Sequence, residues 1–281
     1  MSPACRRKFS DSFGKRSIDL SMRSIPVKKS VNQLIFAAGV LVVWEGLALL
    51  KLWPPYVFPT PRGVAESFWA GIADHSIWIG IAVSLRRVAI GYAISVVLGI
   101  LLGMWITWSR FLQDTLGGVI LSLQSLPSIC WVPLALLWFG LSETAIIFVT
   151  VMGSMLAVTQ ATKAGFDNVP RILSMAGRNL GAKGPQLFWH VLLPASLPYL
   201  VDGLKQGWAF AWRSLIQGEM LYVTLGLGQL LVAGRDLNDI NQVVVVMVLI
   251  AGIGYAVDSI LFRKLETSLR DKWGTAIAAA N

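Results

Sequence analysis

One guanidinium and two carboxamides stand in an otherwise apolar stretch of this chain: Gln206, Arg213 and Gln217, within PYLVDGLKQGWAFAWRSLIQGEM at 198–220. Spacings of seven and four residues place all three on one face of a helix. Such a stripe can attract and orient a small anion. An Arg at the centre of a membrane helix costs ~2.5–3.5 kcal/mol on insertion scales, so Arg213 must face protein, a counter-ion or water. Two readings follow: Arg213 draws an anion into a cavity, or it pairs with Glu219 or another acid and fixes the fold. Asp202 and Lys205 are spaced to pair at i, i+3. In a second apolar segment, Gln124 and Ser125 precede Pro127. A helix broken there would line a transport route, or the proline makes a simple packing kink.

Other chemistries are excluded by what the chain lacks. It has two histidines, His75 and His190, and two cysteines, Cys5 and Cys130. No metal-ligand cluster and no nucleophile triad can be assembled from them. No Gly-x-x-x-x-Gly-Lys-Ser/Thr phosphate loop occurs, so the chain is expected to hold no nucleotide or other cofactor and to hydrolyse nothing alone. The intramembrane acids Glu45 and Glu219 are too few and too peripheral for an ion-coupled secondary transporter, and no internal repeat is visible.

The elements that must position these residues are membrane spans. The chain is 55% hydrophobic and 14% charged, against about 25% charged in soluble domains. Six spans are expected: 31–50, 88–108, 116–139 (broken by Pro127 and Pro133), 145–162, 198–222 and 243–262. Pro61 to Ala73 reads as a short external helix. Gly99 and Gly103 form a small-xxx-small face, for packing inside one subunit or for dimerisation. Residues 1–30 form a basic cytoplasmic tail on lipid headgroups, 31–265 the membrane domain and 266–281 a second tail. The first apolar run reads as an uncleaved span. Net charge is +9, and 17 of the 24 Lys and Arg residues fall in the first tail, after the last span at 262, at Arg110 or in the loop 163–195. That bias sets both termini inside. It is a membrane-orientation signal, with no nucleic-acid motif beside it.

The loop 163–195 holds LSMAGRNLGAKGPQLFWHVLLP (173–194). Ala176, Leu180, Gly181 and Ala182 are expected on one helix face, with Arg178, Asn179 and Lys183 off it. Gly184-Pro185 breaks that helix and a second begins at Leu187. A short, small-faced basic helix between spans suits docking into a groove on a partner.

This segment resembles the signature loop of binding-protein-dependent ABC importer permeases. Met175-Ala176-Gly177 stands where the family has Glu-Ala-Ala, Gly181 at its Gly, and Val191-Leu192-Leu193-Pro194 at its close. Met175 replaces the family Glu and Gly177 the second Ala, so the Glu's ionic contact does not carry over. Phe58-Pro59-Thr60-Pro61 and Trp138-Phe139-Gly140 are similar to elements of the nitrate, sulfonate and taurine branch. The resemblance implies an all-α polytopic membrane protein of the type I ABC importer permease fold in the bacterial inner membrane. Met175, Ala176, Gly177, Leu180, Gly181 and Ala182 would form a cytoplasmic coupling helix. Gln124, Gln206, Arg213, Gln217 and Glu219 are expected along the pathway. The implied partners are a second permease subunit, a homodimer being expected, two ATPase subunits that bind ATP and Mg, and an external binding protein. The cargo would be an anion such as nitrate, a sulfonate, taurine or bicarbonate; related permeases carry pyrimidine- or flavin-type precursors.

Overall fold

The computed structural model describes residues 27–50, 52, 54, 57–222 and 225–273. The expected basic tail before residue 27, Cys5 and residues 274–281 lie outside the described residues. Among the described residues there are helices and turns and no strand. The chain divides into two units at residue 53. The first holds α1 (Val27–Leu49), whose apolar part is Ala38–Leu49. Its Phe36, Val42 and Leu49 are exposed, and its apolar part is shorter than the expected span 31–50.

The second unit begins with α2 (Pro61–Ala73). Thr60 caps it by accepting from the Gly63 N–H at 3.0 Å, and Pro61 occupies the first turn. α3 (Ser76–Trp108) follows. It starts twelve residues before the expected span at 88, because Ser84 and Arg87 are not a polar boundary but lie inside the protein. Its 33 residues extend about 50 Å, longer than the bilayer's hydrocarbon core. α4 (Arg110–Gln124), a 3₁₀ turn at Ser128–Trp131 and α5 (Val132–Phe139) form a broken segment bent by 100°. Pro127 thus breaks the chain as expected, far more sharply than a kink, whereas Pro133 sits in the first turn of α5 and breaks nothing. α6 (Glu143–Asp167) is capped by Ser142. A surface helix, α7 (Arg171–Asn179), leads to α8 (Pro185–Leu221), which passes through a π turn at Phe188–Leu192. α9 (Leu227–Asp236) and α10 (Ile240–Val257) form a hairpin. A π turn at Asp258–Phe262 then continues into α11 (Arg263–Trp273). Among the described residues four helices are long and apolar enough to cross a membrane, five with the bent pair. The protein is an all-α polytopic membrane protein.

α6 is the centre of the bundle, gripped between α3 and α8 by small residues. A methyl on Gly99 would come within 2.7 Å of Val158, and one on Gly103 within 2.6 Å of Thr162. From the other side a methyl on Gly207 would come within 2.5 Å of Val158, and one on Gly203 within 2.2 Å of Ala161. The Gly99/Gly103 face is therefore used inside the subunit, not left for dimerisation. Ser154 donates to Ser95 at 2.6 Å across the α3–α6 seam. Between membrane helices, with lipid as apolar as the side chains, such close packing supplies most of the attraction. Around the seam, Val88, Ile146, Val149, Trp208, Trp212 and Leu215 form the core. Trp208 stacks on Trp212, whose indole N–H donates to the Ile250 carbonyl at 3.1 Å. Lys205 pairs with Asp258 at 3.3 Å, not with Asp202 as expected.

Candidate functional site

Three of the expected pathway residues meet. Gln124 at the end of α4, and Arg213 and Gln217 on α8, line one pocket of about 280 Å³. The 3₁₀ turn closes one side, where the Ser128 hydroxyl donates to the Gln217 carboxamide oxygen. The Arg213 guanidinium sits 5.4 Å from the centre of the Phe210 ring, one turn back on the same helix. This contact orients the charge without neutralising it. Arg213 makes no ion pair among the described residues. Gln206 shares the stripe but lies exposed outside the pocket.

Glu219 does not join them, and this corrects its expected place on the pathway. Its carboxylate is fully buried in a polar cluster among α3, α6, α8 and the start of α9. Ser84 donates to its two oxygens at 2.9 and 2.7 Å, Arg87 donates at 3.0 Å and the Gly228 N–H at 3.0 Å. Ser84 in turn accepts from the Leu227 N–H, and Arg87 donates to the Leu225 carbonyl. The same guanidinium reaches Glu143 at 3.0 Å, and Arg86 reaches it at 2.6 Å. A methyl on Gly226 would lie 2.6 Å from the carboxylate, so glycine is what lets this loop close over the acid. Arg87 is the buried partner of Glu219; Arg213 is not.

α7 presents Ile172, Met175 and Leu180 outward, with Leu180 89% exposed. Ala176 and Gly181 are exposed as well. Gly177 is not: it is buried, and a methyl there would meet Leu187 at 2.8 Å and Val191 at 3.0 Å. It joins α7 to the first turns of α8 and offers nothing to a partner. The helix ends at Asn179, three residues before the expected face does. The Gly181 N–H bonds the Arg178 carbonyl and the Ala182 N–H the Gly177 carbonyl, both at 3.0 Å. With Gly181 at φ +89°, this is a Schellman cap. Gly181 and Ala182 thus terminate the helix and do not extend its face.

Residues 95–271 match the family described as binding-protein-dependent transport system inner membrane component. The chain belongs to this family. The permease is 32% identical over 236 residues to the putative aliphatic sulfonates transport permease protein SsuC of Escherichia coli K12, covering 83% of this chain and 90% of that one. It is 30% identical over 251 residues to the taurine transport system permease protein TauC of the same organism, covering 87% and 88%. The nitrate import permease protein NrtB of Synechocystis is 28% identical over 239 residues, covering 82% and 86%. Among solved structures, an amino acid ABC transporter aligns with TM-score 0.55 at 18% identity, covering 73% of this chain and 98% of that one. The MetNI methionine transporter aligns with 0.53 at 21%, covering 69% and 94%. These two support the type I importer permease fold. The permease is accordingly a multi-pass membrane protein of the sulfonate, taurine and nitrate branch. Its family-matched segment holds the pocket, α7 and Glu219, while Ser84 and Arg87 lie before it.

The buried cluster is what reading the sequence missed. Arg86-Arg87 looks like a membrane boundary, and the partners Glu143 and Glu219 lie far along the chain. The available signal was Gly226-Leu227-Gly228 beside an acid at the end of a span, a loop able to wrap a carboxylate with backbone N–H groups.

Proposed function

We propose that this permease forms the pathway for a small anion, of the nitrate, sulfonate, taurine or bicarbonate type, in an ATP-driven importer. The observation that carries this reading is Arg213, held over Phe210 in a pocket with Gln124 and Gln217 and without an ion-pair partner among the described residues. In a low-dielectric cavity an uncompensated charge acts more strongly than in water. Binding there must stay modest, since an ion held too tightly cannot leave. ATP and Mg belong to two separate ATPase subunits, which dock on the outward side of α7 through Met175, Ala176 and Leu180. A second copy of the chain completes the pathway and an external binding protein delivers the solute. Both termini lie in the cytoplasm, and lipid covers the apolar outer faces.

Arg213→Gln is expected to cut anion uptake about tenfold while the complex still assembles and hydrolyses ATP. Arg213→Lys restores part of it, returning the charge without the planar fork. Loss of assembly would show a structural residue, and unchanged uptake would remove the anion argument. Co-purification of an ATPase subunit tests the importer reading separately.

A further inference from the structure

We infer that the pocket selects an organic monoanion with an apolar body and no ammonium group, and that its apolar lining around a single cation sets this preference. The inference rests on the pathway reading above and asks what kind of anion the same pocket accepts. Its polar lining is a single cation, Arg213, and the side chains of Gln124, Ser125, Ser128 and Gln217. Ser128 donates to the Gln217 oxygen. That leaves the Gln217 amide hydrogens to donate, so the lining offers one charge and several neutral donors, a match for one oxyanion group.

The remaining wall is apolar: Leu126, Trp131, Met152, Leu156 and Phe210. A small inorganic anion would use the donors and leave this wall without a partner. The volume, about 280 Å³, is at the small end for small-molecule pockets and larger than such an ion needs. A zwitterion fails for a different reason. No Asp or Glu lines the pocket. Glu219, on the same helix, is taken up by Ser84, Arg87 and Gly228. The Phe210 ring already carries the Arg213 guanidinium. An ammonium group in this pocket would meet the like charge of Arg213 and no carboxylate, with only neutral acceptors and the Trp131 face to replace its water.

The test is equilibrium binding to the permease–ATPase complex in nanodiscs, purified without the binding protein. Labelled hexanesulfonate is competed with methane-, ethane- and butanesulfonate, taurine and nitrate. Affinity is expected to rise about two- to fourfold per methylene, the range that burial of each CH₂ allows. Taurine, which differs from ethanesulfonate by its ammonium group, is expected to bind at least tenfold more weakly. Leu126→Glu, at a residue 45% exposed, should bring taurine level with or above ethanesulfonate. Arg213→Gln should remove binding of every sulfonate. Affinity independent of chain length, or taurine equal to ethanesulfonate in the unaltered protein, overturns the inference. So does the absence of sulfonate binding in a complex that still takes up an anion through Arg213. In those cases Arg213-dependent uptake leaves the pathway reading standing; failure of Arg213→Gln to change uptake is what removes that reading.

Discussion

The Arg87–Glu219 pair gives a stability prediction whose size follows from geometry. Arg87 has 3% and Glu219 0% of its side chain exposed. Arg87→Met leaves a buried carboxylate with only neutral donors, Ser84 and Gly228. Removing one partner of a buried pair costs about 3–5 kcal/mol. Glu219→Gln is gentler. Its remaining oxygen still accepts from Ser84 or Gly228, and Arg87 keeps Glu143 at 3.0 Å. The loss there is about 1.5–3 kcal/mol, that of a charged hydrogen bond. Two residues in direct contact should couple, so the double variant should cost less than the summed singles by about 1–3 kcal/mol. The measurement is the unfolding midpoint of the purified permease in one detergent, followed by tryptophan fluorescence, for the four members of the cycle. If the two effects simply add, or if Glu219→Gln costs more than Arg87→Met, the assignment of Arg87 as the neutraliser of Glu219 is refuted.

The remaining predictions concern α7 and topology. Gly181→Val should destabilise the end of α7 by about 1–2 kcal/mol, because a side chain at φ +89° is strained, whereas Gly181→Asn should be nearly neutral. Leu180→Asp should leave the unfolding midpoint unchanged, since the residue is exposed, yet lower the amount of ATPase recovered with the permease; full recovery would contradict docking on this side of α7. Engineered cysteines at Asn238 and Lys183 should label from outside and inside respectively, and the reverse pattern would overturn the proposed orientation.

Local signals in the sequence were read well where the physics is local. Thr60-Pro61 starts α2 and Gly140 closes α5. Pro127 breaks the α4–α5 segment, since each of these acts within its own turn of chain. The stripe was right in period, but Gln206 lies seven residues, about 10 Å along the helix, from Arg213. Periodicity assigns a face and not the length of a pocket. Arg86 and Arg87 show a related limit: neighbours on a helix point about 100° apart, so one is 62% exposed and the other 3%. The partner of Lys205, Asp258, lies in another helix, and nothing near Lys205 announces it. At Gly181 the helical pattern was extended past the residue that ends it. A Gly shortly before Gly184-Pro185 is a C-cap signal, and it outranks the continuing small-residue spacing.

These corrections place three devices on one helix. α8 is held at its start by Gly177 against Leu187 and Val191. It carries Arg213 and Gln217 in its later turns and is anchored at Glu219. From Glu219, Arg213 is six residues back and Val191 twenty-eight, about 9 and 42 Å on a straight helix. If α8 pivots at its anchored end, the guanidinium moves about one fifth as far as the end joined to α7. Pro198 and the π turn at Phe188–Leu192 lie between the two and can absorb part of that displacement, which makes one fifth an upper bound. The helix cannot slide freely along α6 either, because Gly203 and Gly207 are in close contact with Ala161 and Val158. Within the proposed function, α6 and α8 therefore shift together while the charge stays nearly in place. The side of the pocket free to change is then the bend at Ser125–Ser128, whose polar tie to α8 is the single hydrogen bond from Ser128 to Gln217. One neutral hydrogen bond is worth about 0.5–1.5 kcal/mol, small enough to break and re-form in each transport cycle.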